Sequence, residues 1–267
     1  MNDLELAADL VKTAGTLAAG MLVEGLETRY KTSVSDVVSA ADHAAEEAVA
    51  NRLAALRPQD GVVGEEGTKR AGKGRTWYVD PVDGTYNFLH GVPYWCSAVG
   101  LADQSGPVVG AVYFPGREEL WVGGLGQPTT LNGRPLAELI DQPLASVSIA
   151  TYFHPRHLGN QRRFASWQAA IAGAATLRIL GSASVDLACV ASGRLGVFLQ
   201  ANLNPWDWYP GAALVLSAGG VADTLHLDDS LWQIAGNHLA VEQTKTALES
   251  AISTANSGCG GHGVPLS

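Results

Sequence analysis

Apolar residues recur every three to four positions from Leu4 to about Val23, the period of a helix with one buried face. The stretch DVVSAADHAAEEAVANRLAAL from Asp36 has the same period and is stopped by Pro58 and Gly61. Between the two lies YKTSVSD, read as a polar connector. At Gly61 the period drops to two. GVVGEE, TWYVDPVD, SAVGLAD, PVVGAVYFP and ELWVGGL, separated by Gly, Pro and Asp, predict a largely antiparallel meander. Asn132-Gly133 marks a tight turn. Beyond it strands and helices alternate: strand SVSIATYF, a helix around Arg162 to Ala172, strand TLRILG, helix SASVDLACVASGRL, strand GVFLQ, a helix after Trp206, and a last helix from about Leu239 to Thr254. The glycines of ANSGCGGHGVPLS predict a flexible tail. The expected division is an N-terminal α+β half, 1–140, with a large antiparallel sheet and the acidic motifs, a C-terminal α/β half, 141–256, and a tail, 257–267.

Composition narrows the function classes. At 267 residues, 46% hydrophobic and 16% charged, the chain can bury a large core. A formal net charge of −9 repels nucleic acid and anionic lipid, so neither is an expected partner. The N-terminus carries acids where a secretion signal carries bases, and no apolar run is read as a membrane span. Cys96, Cys189 and Cys259 form no CxxC pair, which fits a reducing cytoplasm and argues against a thiolate zinc site.

The chemistry-bearing residues are acids at strand ends. Asp80 closes the apolar run TWYV, and the turn set by Pro81 and Gly84 can aim Asp83 and the Val82 carbonyl at the same point. Glu65 and Glu66 close a second strand-like run. Asp207 stands between two tryptophans at the mouth of a helix. Hard oxygen donors of this kind suit Mg²⁺, Mn²⁺ or Ca²⁺. Plainer readings stand beside this one: Asp80 and Asp83 suit an Asx-type turn, and Asp207 suits a helix N-cap. Three other motifs fail. GTKRAGKG has Gly74 where a phosphate loop needs Ser or Thr, no helix pattern follows it, and it reads as a mobile loop. GSASV lacks the second glycine of a nucleophile elbow, although its backbone N–H groups can grip a phosphate or cap a helix. His154 and His157 lack an acidic partner in sequence and read as surface residues.

GEE at Gly64, DPVDGTYNF at Asp80 and WDWYPGAALVLSAGG at Trp206 occur in that order, and together they resemble the inositol monophosphatase-like family, metal-dependent, lithium-sensitive phosphatases related to fructose-1,6-bisphosphatase. The resemblance spans nearly the whole chain. It implies an α/β fold, a five-layered α/β/α/β/α sandwich, assembled as a homodimer. It also implies that Glu65, Asp80 and the Val82 carbonyl hold one Mg²⁺, that Asp80, Asp83 and Asp207 hold a second, and that Glu65 helps hold a weaker third that carries the attacking water. Mn²⁺ is a possible substitute. Thr85 and Asp42, the latter in SAAD, would orient and deprotonate that water. Gly84 and Thr85 would donate backbone N–H groups to phosphate. Gly181, Ser182 and Ala183 would line the substrate pocket, with Asp207 and Gln200 as further contacts. Lys31 and Asp36 correspond to the family's mobile loop near the metals.

Gln200 replaces a Glu that binds ring hydroxyls in inositol-phosphate enzymes. An amide offers no charge to a cationic substrate, which weighs against histidinol phosphate. The expected activity is Mg²⁺-dependent hydrolysis of inositol 1-phosphate or a similar polyol phosphate. Histidinol phosphate, 3'-phosphoadenosine 5'-phosphate and fructose 1,6-bisphosphate are the alternatives, ahead of a protein that binds metal or phosphate without turnover.

Overall fold

The computed structural model describes residues 1–27 and 34–257. Two long helices, α1 (Asp3–Glu27) and α2 (Val34–Leu56), lead into strands β1 (Gly61–Gly64), β2 (Lys69–Arg70) and β3 (Thr76–Asp83). After the short helix α3 (Thr85–Leu89) come β4 (Cys96–Asp103), β5 (Gly106–Phe114), β6 (Glu119–Gly124), β7 (Gln127–Leu131) and β8 (Arg134–Pro135). The second half runs β9 (Ser148–Thr151), α4 (Gln161–Ala172), β10 (Thr176–Arg178), α5 (Ala183–Ala191), β11 (Val197–Ala201), α6 (Pro205–Ser217), β12 (Val221–Leu227), β13 (Ser230–Gly236) and α7 (His238–Ser257).

Two sheets result. The larger has the order β2-β1-β3-β4-β5-β6-β7-β8, the smaller β10-β9-β11-β13-β12. β1 runs parallel to β3, and the other described neighbours in the larger sheet are antiparallel. In the smaller sheet β9 runs parallel to both β10 and β11.

Strand periodicity sorts side chains into layers. On β4, Val99 and Leu101 face a core with Leu6 and Leu10 of α1, whereas Cys96 and Ala98 face one with Val185 of α5 and Leu214 of α6. On β11, Phe198 joins that central core while Val197 and Leu199 face α7 through Ala240 and Leu248. The stack is therefore α1/α2, large sheet, α5/α6, small sheet, α4/α7, a five-layered α/β/α/β/α sandwich.

Several expectations need amendment. α2 begins at Val34, inside the predicted connector. The loop GTKRAGKG contains β2, which pairs with β1, and Arg70 there donates to the carbonyls of Asp60 and Arg57. The helix expected to reach Leu195 stops at Ala191, followed by the left-handed Gly193. Asp3–Val23 of α1 is long and apolar enough to match a membrane span by composition, with a mean hydropathy of 1.4. Its Leu6, Ala7, Leu10, Val11 and Ala14 are buried against the sheet and α2, the pattern of an amphipathic core helix. Residues 258–267 lie outside the described residues.

Candidate metal centre and active site

The site is built around a defect in β3. Its pairing with β4 shifts register between Asp80 and Asp83, so Pro81 and Val82 form an irregularity that turns both carboxylates to one side. The Ser97 hydroxyl donates to the Pro81 carbonyl at 2.5 Å and fixes it. Gly84 then takes φ +101°, and a Cβ there would press on Trp95 and the Tyr94 carbonyl at 3.1 Å, so glycine suits the turn on both counts. Thr85 opens α3 and its hydroxyl donates to the Val82 carbonyl at 3.1 Å.

Asp207 arrives from the other half of the chain. It is the third residue of α6 and accepts from the backbone N–H (3.2 Å) and the side-chain amide (3.3 Å) of Asn204. The bland reading of this acid as a helix-capping residue thus holds in part, yet the acid has a second set of neighbours. α6 lies backbone against backbone on the large sheet: a Cβ on Gly110 would sit 2.0 Å from the Pro210 carbonyl oxygen, and one on Gly100 2.7 Å from the Pro210 nitrogen. That approach brings Asp207 beside Asp80 and Asp83, with one oxygen of each within 4.8 Å of the others.

α2 supplies a further pair of acids. Glu65 follows β1, donates its N–H to the Val79 carbonyl at 3.1 Å, and its carboxyl hydrogen-bonds that of Asp80. The loop carrying it is gripped by Glu46, whose carboxylate accepts from the N–H groups of Glu66 and Thr68, each at 2.8 Å. Glu46 packs so closely that a Cβ on Gly64 would overlap it, which explains the glycine of GEE. Asp42 lies one turn before Glu46, 3% exposed, and its Oδ1 has no hydrogen-bond partner among the described residues.

Burial and mutual repulsion dominate the electrostatics. Asp80, 1% exposed, is held well above the carboxylate range by burial first, then by Glu65, Asp83 and Asp207. Asp83 and Asp207 are each pushed up to about 6, mainly by burial. Asp42 rises to about 8, by burial and then by Glu66, Glu65 and Glu46. Asp80 Oδ1 is buried with no hydrogen-bond partner among the described residues. Buried, unpaired carboxylate oxygens are costly, and a divalent cation compensates them with the hard-oxygen chemistry this donor set offers. The residues fit a metal centre.

The opposite wall comes from α5. Its first two N–H groups, of Ala183 and Ser184, donate to the Asp83 carboxylate, and Ser182 caps the helix by accepting from Val185 N–H. Of the expected phosphate grip, the Ala183 N–H is thus engaged with Asp83. Gly181 takes φ +94° beside Asn87, whose amide donates to the carbonyls of Leu180 (2.9 Å) and Tyr94 (2.8 Å). Gln200 is half-buried on β11. Asp36 lies in the first turn of α2, and Lys31 lies outside the described residues. Sequence reasoning assigned no role to Glu46, Asn87 or Tyr94; Asp186, a possible further substrate contact by sequence, is buried and accepts from the Tyr94 hydroxyl at 2.7 Å. Asn87 sits inside DPVDGTYNF and Glu46 one helical turn from Asp42, so spacing alone carried a signal for both.

The model of the inositol monophosphatase family matches residues 2–257. The chain belongs to the inositol monophosphatase family. It is 38% identical over 202 residues to an inositol-1-monophosphatase of Rhizobium meliloti, covering 74% of this chain and 75% of that one. A fructose-1,6-bisphosphatase/inositol-1-monophosphatase of Aquifex aeolicus is 28% identical, with 83% and 86% covered. The crystal structure of extragenic suppressor protein suhB from Bartonella henselae superimposes with a TM-score of 0.75 at 29% identity, covering 90% of this chain and 98% of that one. As a member of the inositol monophosphatase family the chain is a phosphomonoester hydrolase of a metal-dependent type, and its buried acids are the group able to hold the metal.

Proposed function

We propose that the protein hydrolyses a polyol phosphomonoester of the inositol 1-phosphate class with Mg²⁺, two to three ions per subunit, as a cytoplasmic homodimer. The observation that carries this reading is the meeting of Asp80 and Asp83 from one half with Asp207 from the other, around a buried Asp80 oxygen that no hydrogen bond satisfies among the described residues. Glu65, Asp80, the Val82 carbonyl, Asp83 and Asp207 would hold the ions, which when bound neutralise the carboxylates, polarise the phosphoryl oxygens and acidify water. With bound ions drawing the raised Asp42 pKa back down, its Oδ1, unpartnered among the described residues, would accept the proton of the attacking water. Thr85 donates to the Val82 carbonyl and keeps its lone pairs for that same water. The hydrogen bonds from Asn87 hold the Leu180–Gly181 turn against α3 and so fix the wall that receives the alcohol half.

The test is release of inorganic phosphate from inositol 1-phosphate. Activity is expected with Mg²⁺, absent with chelator, and reduced to background in Asp207→Asn. A Mg²⁺-loaded protein inert on inositol 1-phosphate, fructose 1,6-bisphosphate and histidinol phosphate alike, or an Asp207→Asn variant with full turnover, overturns the assignment.

A further inference from the structure

A cavity of about 260 Å³ opens at the carboxyl ends of β9 and β11, the edge of an α/β sheet where ligands bind. Gln200 contributes to its wall, and around it stand Arg156, Arg163, His154, His157 and Tyr152. In a chain of net charge −9 this is a local concentration of positive charge. Neither guanidinium forms an ion pair among the described residues. Arg156 donates through Nε to His157 Nε2 at 3.1 Å and leaves its terminal N–H groups over.

The hydrogen bonds also set the imidazoles. His154 Nδ1 accepts from the Arg156 backbone N–H at 3.1 Å, and His157 Nε2 accepts from the Arg156 side chain. In each ring the other nitrogen is thereby left as the one able to donate. His157 is held below the ordinary imidazole value by desolvation, then by Arg163, Arg156 and His154. Asp229 is the acid whose charge reaches Arg163, and it makes no ion pair with it. The cavity is thus rich in donors and lacks a paired carboxylate.

It is also tied to the acidic centre. Asp207 follows Gln200 by seven residues, and the intervening turn is clamped: Gln233 accepts from the Leu203 N–H and donates to the Leu203 carbonyl, both at 3.2 Å. The next residue, Asn204, holds Asp207.

From these observations we infer that the cavity is a second-oxyanion site, in which Arg156 and Arg163, helped by the two histidines and Gln200, bind a phosphate or carboxylate carried on the alcohol half of the substrate. The inference rests on the phosphomonoesterase reading and narrows it: the preferred substrate is a polyol phosphate with a second anionic group. Two guanidinium contacts to an oxyanion predict at least about a tenfold gain in kcat/KM over a neutral-alcohol monoester, since a charge-assisted bond from half-buried Arg163 contributes about tenfold and one from exposed Arg156 less.

The experiment compares kcat/KM for inositol 1-phosphate, fructose 1,6-bisphosphate and 3-phosphoglycerate at constant ionic strength, in the natural protein, in Arg156→Gln/Arg163→Gln, and in Arg162→Gln, whose side chain is outside the cavity. Preference for the bisphosphate assigns a second phosphate, and preference for phosphoglycerate a carboxylate. The ratio to inositol 1-phosphate should fall at least tenfold in the double variant and stay put in Arg162→Gln. Equal turnover of all three substrates, unmoved by the double variant, overturns this site while leaving the phosphatase assignment standing. Should no ester be hydrolysed, calorimetry on resin-stripped protein with fructose 1,6-bisphosphate still decides: without metal the carboxylate centre repels anions, so binding weakened tenfold by the double variant supports the site, and binding that is absent or unaltered refutes it.

Discussion

Stripping the metal should make the protein less stable as pH rises, because the acidic centre then has nothing to offset it. Asp83 has its pKa raised from 3.8 to about 6. A carboxyl raised on folding binds its proton more tightly in the native state, so native stability is greatest below the unfolded value and is lost as pH climbs towards the folded one. At about 1.4 kcal/mol per unit, the shift of Asp83 corresponds to about 3 kcal/mol lost between pH 4 and pH 6. Asp207 has a comparable shift, but the two repel each other and are counted once. Asp42, raised to about 8, extends the decline to that pH. For a chain of this size about 3 kcal/mol corresponds to a fall of roughly 6–12 °C in Tm. Thermal scans of stripped protein at pH 4, 5, 6, 7 and 8 read this directly, and repeating them with saturating Mg²⁺ should give a gain that is larger at pH 8 than at pH 5, since the cation requires ionised ligands. A stripped protein whose Tm is flat or rises from pH 5 to pH 8, or a Mg²⁺ gain equal at both ends, would refute the claim that these carboxylates are buried together without compensation.

Three substitutions probe the supports of the site. Glu46→Gln removes one of the two acceptors for Glu66 and Thr68 N–H and should lower stability by about 1.5–3 kcal/mol, with weaker Mg²⁺ binding by calorimetry as Glu65 loses its anchor. Gly110→Ala drives a methyl into the Pro210 carbonyl, so α6 must lift; about 1–3 kcal/mol in chemical denaturation, together with lost Mg²⁺ affinity, is the expected pair of effects. Asn87→Ala leaves the carbonyls of Leu180 and Tyr94 short of a donor, and kcat/KM should fall while the Mg²⁺ dissociation constant stays near that of the natural protein.

Much of this arrangement was legible because the physics was local. The period in Leu4–Val23 gives α1 directly, and TWYVDPVD and SAVGLAD read as strands because both sheet faces are covered by helices. The five residues of α3 are too few to show a period. The hairpin of β12 and β13 was hidden because Asp223 breaks the apolar face that Val221, Leu225 and Leu227 share on an edge strand with no fully buried residue. At the site, the acids Glu65, Asp80, Asp83 and Asp207 could be picked out by type and by resemblance, but their partners could not. Gly100 and Gly110 look like ordinary strand glycines until α6 is laid across them, and Glu46 looks like a solvated helix residue until the loop it grips is in place.

The same geometry explains why the centre sits between the two halves. Neither holds enough oxygen on its own: Glu65, Asp80 and Asp83 come from the first, Asp207 from the second. Bringing four carboxylates together pushes the layers apart, so the contact must be held by interactions that do not involve the metal. The glycine track under α6 provides close packing, and the N-terminus of α5 provides two N–H donors that engage Asp83. The favourable end of the α5 dipole thereby faces a carboxylate that burial alone would leave neutral, and the backbone hydrogen bond lowers the Asp83 pKa against that burial. Asp83 is consequently kept close enough to ionisation for a cation to complete the process near neutral pH. Asp80 Oδ1, with no partner among the described residues, is the oxygen that a bound cation would satisfy.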